Sequence, residues 1–289
     1  MGTSQPRLDI PAKVTGEAKF GMDVQVPGMK YATIKAAPVF GSKVKSVDTN
    51  VTSSQPGVLK IVNLGEAVAV IAEGYWQAKT ALNMLPITFE STENDGLNQD
   101  EILSRYRKAM DTDLAEGNLE THFKSGDASK ALQEAKVLIE AEYQLPFLAH
   151  ATMEPMNCTA WVQPGKCEIW CGSQNPLGVK AAAAELLELK LDQVVIHNQL
   201  LGGGFGRRSE TDVIKQAILI AKEVDYPVKL IWSREEDTQH DVYREATLSR
   251  LKAGLDESGL PVAYAHQFIF KHHPPEAADI PYAVPNQLI

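Results

Sequence analysis

The chain has 289 residues, room for about two domains, and its 44% apolar and 22% charged content is ordinary for a globular fold. A net charge of −9 argues against nucleic acid as a partner, which needs a basic face. No apolar run reaches the ~18–20 residues of a membrane span, and no apolar signal core follows the N-terminal Met.

In chain order, residues 8–92 alternate short strands with one helix. "MKYATIKAAP", "GVLKIVNL", "EAVAVIAE" and "PITFES" read as strands, and "YWQAKTALNML" as an amphipathic helix. Residues 93–118 are acidic and polar and read as a linker carrying one helix, "QDEILSRYRKAM". A second unit is expected over 119–289. There "GDASKALQEAKVLIEAEYQL" predicts a short helix and a strand, and "MNCTAWV" and "KCEIWC" a hairpin turning on Pro164-Gly165. Pro-Gly fits a type II turn, which matches strand twist poorly and leaves the register open; if Pro164-Gly165 is the centre of a two-residue turn, Cys158 lies opposite Cys171. With Cys167 these are the only cysteines, too few for a disulfide framework, and free thiols are expected. The C-x3-C spacing of Cys167 and Cys171, with only His150 nearby, does not amount to a metal site.

"CGSQNPLGVKAAAAELLEL" follows. Asn175 is a good N-cap and Pro176 suits the first helical position, so Gln174 stands at the mouth of a strand-to-helix turn. The strand "VVIHNQLL" then runs into "LLGGGFGRRSETD" and the helix "SETDVIKQAILIAKEV", with capping-box spacing at Ser209 and Asp212. The glycine stretch fits neither the P-loop, which ends in Gly-Lys-Ser/Thr, nor the Gly-x-Gly-x-x-Gly fingerprint. Its context still suits an anion: glycines permit close backbone approach, a helix N-terminus follows, and Arg207 and Arg208 offer bidentate donors. The competing reading is a flexible turn with solvated arginines. Two such turns in one domain can converge on a single crevice at the strand ends. "PVKLIW" gives a further strand, "SREED" a second capping-box spacing at Ser233 and Glu236, and 246–270 a long hairpin around Asp256–Gly259.

Taken together, "RLDIPAKVTGEAKFGMDV", "AHATMEP", "SQNP" and "LLGGGFGRR" resemble the large subunit of the molybdenum hydroxylases, the xanthine dehydrogenase and aldehyde oxidase family. The branch resembled is that of isoquinoline 1-oxidoreductase β-subunits and bacterial aldehyde dehydrogenases. The resemblance implies an α+β fold: an α/β-hammerhead domain over 8–92, then the first part of a molybdopterin-binding domain with mixed sheets and flanking helices. It matches Gln174 to a glutamine that hydrogen-bonds an oxygen ligand of molybdenum. Phe205 and Gly206 match residues beside the metal, and Gly202, Gly203 and Gly204 match backbone approaching the pterin and its phosphate, with Arg207 following in the cofactor loop. No residue of this chain is matched to a direct metal ligand. His150, Met153 and Glu154 fall in a family motif. At the place of the acidic residue that xanthine dehydrogenase carries after its loop stands Ser209, which argues against a purine substrate.

The implied function is hydroxylation of an N-heterocycle, or oxidation of an aldehyde, with water as oxygen source. The implied cofactor is molybdopterin, in its cytosine dinucleotide form, with molybdenum. The implied partners are the remainder of the subunit, a small iron–sulfur subunit, a cytochrome c acceptor and a small-molecule substrate; the implied compartment is the periplasm, the cytoplasm being the alternative. The family's general-base glutamate has no counterpart in this sequence, so the chain is expected to be a fragment, inactive and without cofactor on its own. The alternatives are a non-catalytic nucleotide- or anion-binding module and a scaffold unit.

Overall fold

The structure is a computed structural model and describes residues 2–52, 54–117, 120–269 and 275–289. It divides into two compact units, one of residues 1–95 with 149–242, the other of 96–148 with 243–289. These units cut across the divisions expected at 92 and 118.

The first unit is built on a seven-stranded mixed sheet in the order Val194–Asn198, Lys166–Cys171, Asn157–Gln163, Val228–Ile231, Lys30–Ala36, Ala67–Ala72, Val58–Asn63. Strands from the first 92 residues and strands from beyond 150 therefore share one sheet, joined where Lys30–Ala36 pairs in parallel with Val228–Ile231. The reason lies in "AVAVIA". Every residue of the strand Ala67–Ala72 is buried. Ala67, Ala69 and Ile71 join the large core, while Val68, Val70 and Ala72 pack with Ala78, Ala81 and Leu82 of the helix Tyr75–Met84. A strand apolar on both faces needs cover on both, and of the early segment's helices only Tyr75–Met84 packs on it, the short helix Ile10–Val14 burying nothing. The second cover is a core with Val213, Ala217, Ile218 and Ile220 of the helix Asp212–Ala221 and Val179 and Ala183 of the helix Pro176–Leu187.

The hairpin about Pro164-Gly165 forms as expected, with Gln163 opposite Lys166 and Gly165 at φ +73°. Cys158, Cys167 and Cys171 are buried free thiols. The contact with Cys171, together with burial, pushes the Cys158 thiol up, and burial pushes Cys167 up to about 12.

The second unit is a five-stranded sheet in the order Lys124–Ser125, Asn286–Leu288, Pro261–Ile269, Thr247–Leu255, Val137–Leu145. The long hairpin expected over 246–270 is the pair Thr247–Leu255 and Pro261–Ile269; Phe270 lies outside the described residues. The stretch 93–118 is not a free linker. Its helix, Gln99–Glu116, buries Leu103 and Met110. Arg107 pairs with Glu142 at 2.9 Å, and Gln267 Nε2 donates to the Met110 carbonyl at 3.2 Å. Polar composition concealed the docking because two apolar residues and a few ion pairs suffice to seat an amphipathic helix on a sheet.

Two expected caps differ. Ser209 does not cap the helix Asp212–Ala221: it closes a 3-10 turn, Arg207–Ser209, and Asp212 is engaged by Arg207. Ser233 does cap its helix, accepting from Glu236 N–H at 3.2 Å, but the Glu236 carboxylate turns away to accept from Ala36 N–H at 2.7 Å.

Candidate cofactor site

The two strand-to-helix turns of the first unit meet. The Gln174 backbone N–H donates to the Arg208 carbonyl at 3.0 Å. Gln174 Oε1 in turn accepts from the N–H of Gly206 (3.1 Å) and of Arg208 (3.3 Å). Ser173 ties the same carbonyl from its hydroxyl at 3.2 Å and takes the Asn175 N–H at 2.9 Å, while Asn175 caps the following helix by accepting from Gly178 N–H at 3.0 Å. With its oxygen doubly engaged, the exposed Gln174 side chain presents its Nε2 donors outward; among the described residues they have no partner.

Glu154 anchors the other end of the loop. Its Oε2 accepts from Gly202 N–H at 2.8 Å, and its own N–H donates to the Gly202 carbonyl at 3.0 Å. Its Oε1 accepts from Met22 N–H at 2.8 Å and Asn157 Nδ2 at 3.0 Å. Glu154 is thus a buried hub, while its neighbour Met153 is 89% exposed.

The arginines are not solvated, nor are they turned toward a ligand. Arg208 lies beneath the loop, donating from Nε to the Gly203 carbonyl at 2.8 Å and from Nη2 to the Glu154 carbonyl at 2.7 Å, with Glu154 Oε2 at 3.1 Å. Burial holds its guanidinium below the ordinary arginine value. Arg207, expected to offer donors to a phosphate, has a side chain only 1% exposed. Its Nη1 and Nη2 donate bidentately to Asp212 at 2.8 and 2.6 Å, its Nε lies 2.6 Å from Asp241 Oδ1, and its guanidinium faces the Trp232 ring. Burial opposes this charge, but Asp212 and Asp241 outweigh it and raise the Arg207 value. A buried guanidinium needs carboxylates, and here the protein supplies them internally.

What the loop offers a ligand is backbone. Gly202 N–H goes to Glu154, Gly206 N–H to Gln174 and Arg207 N–H to the Gly204 carbonyl at 2.9 Å. Among the described residues the N–H groups of Gly203 and Gly204 have no partner. Gly203 and Gly206 hold φ of +104° and +101°, and Phe205 between them holds +54° and is exposed. The glycines also answer an internal need: a Cβ on Gly202 would stand 2.3 Å from Glu154 Cβ, and one on Gly204 2.5 Å from Gln174 Oε1. Gly204 is not in the left-handed region, so packing against Gln174, not φ, requires glycine there.

Gln174 and residues 202–206 are therefore brought together as expected, and Arg207 is turned inward. Asp241 and Asp212, which hold Arg207, carried no local signal of that role. The donor set suits an oxygen-rich group: two free backbone N–H groups and the free Nε2 end of the Gln174 carboxamide, with Glu154, Asp212 and Asp241 all engaged by arginines. A pterin cofactor with its phosphate fits such a face.

Comparison with known proteins agrees. Quinoline 2-oxidoreductase from Pseudomonas putida 86 shares the fold with a TM-score of 0.71 at 15% identity, over 93% of this chain and 39% of that one. The aldehyde oxidoreductase from Desulfovibrio gigas does so with a TM-score of 0.69 at 18% identity, over 92% and 34%. Isoquinoline 1-oxidoreductase subunit beta from Brevundimonas diminuta is 33% identical over 269 residues, 89% of this chain and 34% of that protein. The membrane-bound aldehyde dehydrogenase [pyrroloquinoline-quinone] of Gluconacetobacter polyoxogenes is 30% identical over 90% and 34%. The chain thus spans about a third of the length of these relatives. Residues 111–285, well over half of the chain, match the molybdopterin cofactor-binding domain, and the chain belongs to that family.

Proposed function

We propose that the Gln174 turn and the glycine loop form part of the molybdopterin cradle of an oxidoreductase subunit that hydroxylates an N-heterocycle or oxidises an aldehyde, with water as oxygen source. The observation that carries this is the shared hydrogen bonding of the two turns, Gln174 Oε1 accepting from the N–H of Gly206 and Arg208, which brings the Gln174 carboxamide against the glycine loop. Bound molybdopterin supplies the two-electron chemistry and the metal. The chain's own residues hold and orient: Gly203 and Gly204 donate from their backbone to the cofactor, Gln174 orients a ligand of the molybdenum through Nε2, and Phe205 and Gly206 line the same end. Gly202 seats the loop on Glu154.

A relative named as a subunit supports a multi-subunit assembly, and the resemblance to the molybdenum hydroxylases carries a finer reading. It comprises a cytosine dinucleotide form of the cofactor, a small iron–sulfur partner subunit, a cytochrome c acceptor and a periplasmic home. Among the described residues no helix is long and apolar enough to cross a membrane. The test is metal and pterin analysis of the full-length subunit, with dye reduction by isoquinoline or by an aromatic aldehyde. About one molybdenum per subunit and reduction by either substrate class agree with the proposal. A subunit that binds a nucleotide but no molybdenum supports the non-catalytic alternative.

A further inference from the structure

We propose that His150 is a further ligand-contacting residue of this site, with Asp241 and Arg207 as the residues that position it. This rests on the reading of the glycine loop as a cofactor cradle and extends it to the reacting end.

The first observation is orientation. His150 Nδ1 lies 2.9 Å from Asp241 Oδ2, which also accepts the His150 backbone N–H. A carboxylate accepts, so Nδ1 donates and the ring is fixed in one pose. Asp241 is held in turn from its other oxygen by Arg207, and Arg207 by Asp212. This chain of charge is buried: the side chains of Arg207 and Asp241 are 1% and 2% exposed. It ends at His150 Nε2, which has no partner among the described residues. Nε2 is the one atom within 4 Å of a Cβ built on Gly206, at 3.9 Å. Gly206 is the residue whose N–H Gln174 holds, so His150 and Gln174 address the same end of the loop.

The second observation is strain. Among the described residues three non-glycine positions have positive φ: Ala151, Glu188 and Phe205. Glu188 is an ordinary left-handed helix C-cap. The other two flank residues that meet at this loop: Ala151 lies between His150 and Thr152, and Thr152 and Phe205 both crowd the space over Gly203 at 3.3 Å. Strained backbone persists where the surroundings over-determine it, and it gathers at ligand clamps. Residues 150–152 are thus the second wall of the cradle, and His150 Nε2 is its hydrogen-bonding group for an oxygen- or nitrogen-bearing part of the ligand.

The test uses the full-length subunit as wild type, His150→Ala, His150→Gln and Asp241→Asn. Molybdenum content, melting temperature, the Mo(V) resonance of the reduced protein and kcat against KM are read for each. The expected result for His150→Ala is wild-type molybdenum and melting temperature, a changed resonance and a tenfold or larger loss in kcat. His150→Gln should recover part of that loss, and Asp241→Asn should fall between. An unchanged resonance and kcat in a loaded His150→Ala protein overturns the assignment and leaves the cradle standing. Loss of both molybdenum and melting temperature in His150→Gln overturns it too, assigning His150 to the fold alone. A wild-type subunit without molybdenum sinks the cradle reading and this one with it.

Discussion

Gln174 Oε1 occupies the space that a side chain on Gly204 would need, 2.5 Å from the Cβ position, and so the glutamine and the glycine are one device. The carboxamide reaches Gly206 N–H only because nothing projects from Gly204. Gly204→Ala and Gln174→Ala are expected to lower turnover of the full-length subunit alike, by about 10²-fold, the scale of losing one positioned donor. The double variant should be little worse than either single one, since both remove the same contact. Steady-state kinetics on the three proteins checks this; additive losses would separate the two residues.

Glu154 and Arg208 form a buried pair under the loop, 3.1 Å apart with side chains 8% and 2% exposed. Removing one partner leaves the other charge buried. Glu154→Ala should therefore cost about 3–5 kcal/mol of stability. Glu223→Gln breaks the solvent-exposed pair with Lys60 and should cost less than ~1 kcal/mol. Thermal or denaturant unfolding of the two variants reads the difference.

Much of this was legible in the sequence. The strands, the Asn175-Pro176 helix start and the Pro164-Gly165 turn follow from local chemistry, and each forms where expected. The meeting of the two turns followed from their shared place after strands. The arginines were not legible. Arg207 and Arg208 follow glycines as phosphate donors do, but their carboxylates come from Asp212, Asp241 and Glu154, up to 54 residues away. Only Asp212 was near, and its spacing from Ser209 suggested a cap instead. The units were hidden for the same reason: pairing of Lys30–Ala36 with Val228–Ile231 spans most of the chain and leaves no local mark.

Glu236 gives the fold a pH dependence. Burial pushes its carboxyl up to about 7, against the Ala36 N–H and nearby Lys35, which favour the charge; His240 Nε2 stands 3.7 Å away. An unfolded glutamate titrates near ~4.3. Between these values the folded chain holds the proton more tightly than the unfolded one, so stability is highest below ~4.3 and falls as pH rises through about 7. Glu236→Gln should remove this component. The melting temperature of the variant relative to wild type should rise from pH 5 to pH 8, and a constant difference would refute the assignment.

The three cysteines should titrate as three thiols in denatured, unreduced protein, because all are free. In the native state they should react slowly: all are fully buried, and at Cys167 burial holds the thiol near 12, far from the reactive thiolate. Finding one thiol after denaturation would instead show a disulfide.

The central claim is that the backbone of residues 202–206 receives the cofactor. Amide hydrogen exchange across this segment, compared between molybdenum-loaded and molybdenum-free full-length subunit, tests it most directly. The account predicts strong protection of the Gly203 and Gly204 amides on loading, with little change at Gly202, already bonded to Glu154. Equal exchange at Gly203 and Gly204 in the two states would contradict it.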